Sequence, residues 1–166
     1  LAQDHGVDAA VFFCADDVLS GKKTDEAGQL VREALQAKNV QVKGYQVLPE
    51  TAEILEKQLL QAVRDGHRMV LVIGSSGFTR KDMAAQVIRP LLQRPLPGIE
   101  ETIRRYGQER TPYAMFSHSV AGMIERTLVL SIPGSTAGAK ESMAAIFPAV
   151  LHIFRVQDKL DTGADS

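Results

Sequence analysis

Four stretches of this chain carry residue types suited to gripping phosphate and a divalent cation. Gly74-Ser75-Ser76-Gly77-Phe78-Thr79 offers small residues whose backbone N–H groups can close around an anion. It lacks the Gly-Lys-Ser/Thr ending of a Walker A loop and the G-x-G-x-x-G spacing of a dinucleotide fold, and an ordinary tight turn uses the same residues. Asp82, just beyond, reads either as a first-turn acid complementing a helix dipole or as a carboxylate that holds Mg²⁺ and orients a reacting phosphate. Arg80 and Lys81 beside it would offset polyphosphate charge, or form a solvated face. Asp16, Asp17 and Asp25 are ordinary loop and cap residues that also fall where a metal-bound nucleotide would lie. Glu50, after Pro49, is a first-turn acid or a catalytic carboxylate. Pro133-Gly134-Ser135-Thr136 is a second hydroxyl-bearing turn, able to offer N–H groups to a phosphate or capping oxygens to its own helix; capping is the simpler role for Thr136. Ser117-His118-Ser119-Val120-Ala121-Gly122 puts small residues beside a lone histidine, and Cys14 sits in an apolar run as a small core residue.

The elements that must position these stretches follow from hydrophobic period. Residues 10–14 and 69–73 are continuous apolar runs, the pattern of strands buried on both faces. Residues 40–47 alternate and end at Pro49, as a strand near an edge does, and residues 127–132 supply a further strand. Ala27, Leu30, Val31, Ala34 and Leu35 form a helical stripe after Asp25. A second stripe, Leu55, Leu59, Ala62 and Val63, starts from Thr51 as cap; a third, Ala84 to Leu92, is closed by Pro95 and Pro97. A long closing helix runs from Ala139 to Phe154, kinked or divided by Pro148. Alternation of strand and helix predicts an α/β fold of three layers, α/β/α, around a largely parallel central sheet. Ligands bind such sheets outside the carboxyl ends of the strands, which selects loops 15–24, 48–51, 74–82 and 133–137. Residues 1–157 are expected to form one domain, with 158–166 a loose tail that has little to bury.

Composition narrows the function classes. Of 166 residues, 19 are Lys or Arg and 20 are Asp or Glu, a formal net charge of −1 that argues against a broad nucleic-acid face. No apolar run reaches the roughly 20 residues of a membrane span, and the first 20 residues lack the order of a signal peptide. A soluble, cytoplasmic protein with no membrane or nucleic-acid partner is expected. One cysteine and four scattered histidines build no zinc site. Leu1 in place of an initiator Met leaves open a processed chain, a trimmed one or a domain of a longer polypeptide. A small-molecule enzyme, a binding module and an oligomeric scaffold all remain.

In order along the chain, these loops resemble the molybdopterin-binding domain family of molybdenum cofactor biosynthesis, and in particular its small adenylyltransferases and their close paralogues. Residues 15–28 keep both acids and both glycines, Asp16, Gly21, Asp25 and Gly28, of the family's Ser-Asp-x-x-x-x-Gly-x-x-x-Asp-x-x-Gly. Ile73-Gly74-Ser75-Ser76-Gly77, Thr79 and Lys81-Asp82 are similar to its Thr-Gly-Gly-Thr-Gly, hydroxyl residue and Arg-Asp. Pro97-Gly98-Ile99-Glu100-Glu101 resembles Pro-Gly-Phe-x-Glu, residues 117–122 resemble Ser-Arg-x-x-Ala-Gly, and residues 127–136 resemble Thr-Leu-Val through Pro-Gly-Ser-Pro.

The resemblance implies transfer of AMP from Mg·ATP to the terminal phosphate of molybdopterin, giving adenylylated molybdopterin and pyrophosphate. It assigns Asp82 and Glu50 to catalysis and Mg²⁺, Asp16, Gly21, Asp25 and Gly28 to the nucleotide, and Gly74, Ser75, Ser76, Gly77, Thr79, Ser117, Gly134 and Ser135 to the pterin and its phosphate. It also implies a homotrimer or hexamer, and other cofactor-biosynthesis proteins as partners. Five of the departures from the pattern bear on the chemistry. Glu50 stands for Asp, which displaces a carboxylate by about 1 Å, enough to cost on the order of 10²-fold in rate where geometry is critical. Ser75 stands for Gly, Lys81 and His118 for Arg, and Thr136 for Pro. These changes leave open a paralogue that binds the pterin without efficient transfer, or a scaffold domain of a fused protein. An unrelated nucleotide hydrolase on the same fold is a third reading, since fold does not fix function.

Overall fold

The structure, a computed structural model, describes residues 6–74 and 83–163. Among them six strands form one sheet. These are β1 (Asp8–Cys14), β2 (Gln41–Leu48), β3 (Met69–Ile73), β4 (Arg94–Pro95), β5 (Ala121–Ile124) and β6 (Thr127–Ile132), in the order β2-β1-β3-β6-β5-β4. β2, β1, β3 and β6 are mutually parallel; β5 runs antiparallel to β6, and β4 antiparallel to β5. The helices are α1 (Asp16–Leu19), α2 (Glu26–Ala37), α3 (Ala52–Arg64), α4 (Ala84–Ile88), α5 (Pro97–Gln108), α6 (Thr136–Ile146) and α7 (His152–Thr162).

The period of two along each strand divides the core between the two faces of the sheet. Val11, Phe13, Leu71, Ile73, Leu130 and Ile132 face Val31 and Leu35 of α2, Ile103 of α5 and Met143 and Ile146 of α6. The alternate residues Phe12, Cys14, Val70, Val72 and Val129 face Leu55 and Leu59 of α3 and Ala84 and Ile88 of α4. Every residue of β3 and β6 is buried, because helices cover both their faces, and this is why β3 reads as an unbroken apolar run. β2 keeps a partly exposed pattern as an edge strand. The three-layer, largely parallel α/β architecture matches the expectation from hydrophobic period.

Three parts of the architecture differ from what hydrophobic period suggests. Residues 94–124 carry β4, α5 and β5, none of which has a clear signature: β4 is two residues, α5 buries only Glu100 and Ile103, and β5 contains Ala and Gly. The turn from β5 to β6 has Glu125 at φ 53°, with no Asn-Gly or Gly pair to mark a hairpin. The closing helix is divided at Pro148 as its sequence predicts, with α6 ending at Ile146 and α7 starting at His152 after a 3-10 turn over Ala149–Leu151.

The third difference corrects the expected loose tail from residue 158, since α7 continues through Thr162. Asp158 pairs with Arg68 at 3.2 Å and with Arg126 at 3.8 Å, and Asp161 is bonded to Arg126. Arg68 also donates to Gln157 at 3.1 Å and lies over the Phe154 ring, 4.9 Å from its centre. The acids that seemed to have nothing to bury serve as partners for two cations at the starts of β3 and β6. Arg68→Ala should therefore cost about 2 kcal/mol in urea unfolding and accelerate amide exchange selectively in residues 152–162. Unchanged exchange there would show that α7 does not depend on the clamp.

Candidate functional site

Because four strands run parallel, the chain leaves β2, β1, β3 and β6 at one edge. β5 begins at that same edge because it is antiparallel: the Val120 N–H donates to Ser131 Oγ at 2.8 Å, and the Ser131 N–H donates to the Val120 carbonyl at 2.9 Å. Ser117 arrives with it, its Oγ 3.4 Å from that of buried Ser119. The strand ends from which the selected loops leave thus share one edge. Ser75, Ser76, Gly77, Thr79 and Asp82, with Arg80 and Lys81, lie outside the described residues.

At the centre of the edge, backbones meet without intervening side chains. Gly74 has φ 97°, and a Cβ there would come 2.6 Å from the Cys14 carbonyl oxygen; a Cβ on Gly134 would come 2.9 Å from Gly74 Cα. The Gly74 N–H donates to the Ile132 carbonyl at 3.0 Å. Both glycines were assigned to the ligand by resemblance, and the approach of strand ends already requires them. Ser135 caps α6, its Oγ accepting the Gly138 N–H at 3.1 Å. The cap expected of Thr136 falls on Ser135, and the Thr136 hydroxyl donates instead to Glu26 Oε2 at 3.3 Å. Thr51 occupies the start of α3 without making a side-chain cap bond.

Asp16 and Glu50 form a reciprocal clasp between the first and second loops. The Glu50 N–H donates to Asp16 Oδ1 at 2.9 Å, and the Asp16 N–H donates to Glu50 Oε2 at 3.3 Å. Glu50, half-buried at this edge, offers a hard carboxylate of the kind that suits Mg²⁺, which keeps most of its waters and takes one or two protein carboxylates; Asp82, the other carboxylate assigned to the ion, lies outside the described residues. Among the described residues no cluster of three or more His, Cys, Asp or Glu forms a closed cage. The two carboxylates of the clasp act on Cys14 behind them: burial above all, then Glu50 and Asp16, push its thiol up to about 12.

Asp25 and Gly28 have a different setting from Asp16. Tyr45 Oη donates to Asp25 Oδ2, and so does Arg32 Nη2 at 3.2 Å; Arg32 Nε donates to the Gly28 carbonyl at 3.2 Å. The Arg32 guanidinium stacks on the Tyr45 ring at 3.9 Å. Burial first, and then the bond to Asp25, push the Tyr45 hydroxyl well above its ordinary range. A Cβ on Gly28 would lie 2.1 Å from Tyr45 Oη and 2.2 Å from Asp25 Oδ1. Gly21 turns the same loop at φ 84°. Sequence reasoning missed Tyr45 and Arg32; the available signal was a glycine inside an amphipathic helix, which calls for a packing reason. It also left Glu100 without a role. That carboxylate is buried, accepts from Arg89 at 3.1 Å and from the Ala121 N–H at 3.4 Å, and so ties α5 to β5.

Comparison with known proteins agrees with this geometry. Residues 10–152 match the family described as probable molybdopterin binding domain. The molybdenum cofactor biosynthesis bifunctional protein of Chlorobaculum tepidum is 30% identical over 153 residues, covering 92% of this chain and 49% of that protein. The chain spans about half the length of the bifunctional relatives it matches. Among solved structures, a molybdopterin biosynthesis protein from Mycobacterium abscessus aligns with TM-score 0.85 and 31% identity, over 94% of this chain and 98% of that one. The molybdopterin biosynthesis enzyme MoaB from Thermus thermophilus aligns with TM-score 0.83 and 33% identity, over 95% and 97%.

Two expectations follow from the edge. Gly134→Ala should lose about 2 kcal/mol or more in urea unfolding, because backbone must move, whereas Gly98→Ala, with nothing within 4 Å, should be neutral or gain up to about 1 kcal/mol. Cys14 should resist alkylation at pH 8 until the chain unfolds. In the unfolded chain its thiol ionises near 9.0, and in the folded one near 12, so its contribution to stability is complete below pH 9 and is lost as pH rises toward 12. Alkylation of the folded protein at the unfolded rate would refute the burial argument.

Proposed function

The chain belongs to the molybdopterin-binding domain family of molybdenum cofactor biosynthesis, and from that premise we propose that it transfers AMP from Mg·ATP to the terminal phosphate of molybdopterin. A terminal phosphate oxygen of the pterin attacks the α-phosphorus of ATP, a new P–O bond forms, and the bond to the β-phosphate breaks with release of pyrophosphate. Such a reaction asks the protein for alignment and charge compensation more than for covalent chemistry. The observation that carries the reading is that five strand ends lie at one edge of the sheet, with the Asp16–Glu50 clasp between two of the loops that leave it. Mg²⁺, held by Glu50 and Asp82, would supply positive charge against the phosphates. Asp16 and Gly21 form the nucleotide side, with Asp25 and Gly28 shaping its wall. Gly74 to Thr79, Ser117 and the Gly134-Ser135 turn hold the pterin and its phosphate. A homotrimer or hexamer, a cytoplasmic location and association with other cofactor-biosynthesis proteins belong to the same proposal. Among the described residues no helix is long and apolar enough to cross a membrane.

A second reading, a molybdopterin-binding scaffold without transfer, is favoured by one observation: Glu50, where the family pattern has Asp, spends an oxygen on the Asp16 N–H. Pyrophosphate release separates the two. With Mg·ATP and molybdopterin the wild type should release pyrophosphate, and Asp82→Asn should remove most of that rate. A wild type that binds the pterin and releases none, while Glu50→Asp with Ser75→Gly gains activity, would establish the scaffold reading.

A further inference from the structure

We propose that Tyr45 and Arg32 are positioning residues that latch the first loop shut against the edge strand, so that the wall assigned to the nucleotide is formed before any ligand arrives; this rests on the nucleotide-side reading of that loop. The latch joins three consecutive elements of the chain, within 20 positions of sequence. Tyr45 comes from β2, Asp25 from the end of the first loop, and Arg32 from two turns into α2. Both donors converge on one oxygen, Asp25 Oδ2, and the guanidinium packs on the ring that supplies the other donor. Charge-assisted bonds of this kind are about twice as strong as neutral ones. Arg32 fastens the other side as well, through the Gly28 carbonyl.

The glycine at position 28 is part of the same device. Any larger residue would drive its Cβ into both the Tyr45 hydroxyl and the Asp25 carboxylate, so the helix accepts a poor helix former where the latch must close. Asp25 Oδ1 is buried without a hydrogen-bond partner, which leaves Oδ2 as the oxygen through which the loop is held. Just beyond, Glu26 accepts from Thr24 at 3.4 Å and from Thr136 at 3.3 Å, extending the tether to the start of α6. Asp25 therefore works on the nucleotide through the shape of the loop, and Tyr45 and Arg32 work through Asp25.

The test uses Tyr45→Phe, which keeps the ring under the guanidinium and removes only the hydroxyl, and Arg32→Lys, which keeps the charge and removes the fork and the stack. Amide exchange of the ligand-free protein should quicken roughly tenfold in residues 20–28 for either variant, with the melting midpoint within about 3 °C of wild type. In the pyrophosphate assay, KM for ATP should rise several-fold with kcat within about twofold. Unchanged exchange over residues 20–28 in both variants would overturn the latch. Faster exchange with kcat reduced and KM unchanged would overturn its assignment to nucleotide positioning. If the wild type releases no pyrophosphate, adenylyl transfer fails by itself; the ligand-free exchange and the change in ATP binding measured by calorimetry then decide the latch in the same directions.

Discussion

The closeness of the ends of β1, β3 and β6 is the constraint from which the rest of the edge follows. Two glycines, one at φ 97°, let the Cys14 carbonyl, Gly74 Cα and Gly134 approach to distances at which no Cβ fits. That contact fixes where the chain turns out of each strand, and so fixes the starting points of the first, third and last loops relative to one another. Loop ends placed this way inherit the rigidity of a sheet whose central strands are buried on both faces. The glycines are required for this packing whether or not a ligand also approaches them.

Side chains then link loops that the backbone has brought near. Asp16 and Glu50 exchange backbone hydrogen bonds across 34 positions of sequence, Tyr45 and Arg32 hold Asp25, and Thr136 reaches Glu26 across 110. Two of these links use residues that depart from the family pattern, Glu50 and Thr136. The extra methylene of Glu50 places a carboxylate on the Asp16 N–H, and the hydroxyl of Thr136 supplies a donor that proline lacks. The departures thus have a structural use in joining loops, independent of chemistry at phosphate.

What was legible beforehand was what hydrophobic period encodes. The fully buried β3, the edge character of β2 and the division of the last helix at Pro148 are all written in local pattern, and the parallel topology follows from the order of strands and helices. The choice of strand edge, and hence of loops, needed nothing more. What escaped was set by tertiary contact alone. β5 pairs with β6 through a turn without hairpin residues, α5 is fastened by a buried Glu100, and α7 is held to the opposite edge by Arg68 and Arg126. At the site, Asp16 and Asp25 look alike in sequence, yet Asp25 faces a tyrosine and an arginine whose approach no spacing announces.

The two rims of the sheet bear on how copies of this domain can meet. One rim is β4, two residues long, whose Pro95 has no N–H to donate; the other is β2, partly exposed and bearing Lys43, next to a register shift at Ala9/Ala10 of β1. A short stub with a proline and a charged strand beside an irregular pairing are poor templates for a seventh strand. Lateral growth of the sheet from chain to chain is therefore discouraged at both ends, which leaves helix and loop surfaces as the better-suited faces for any contact between copies.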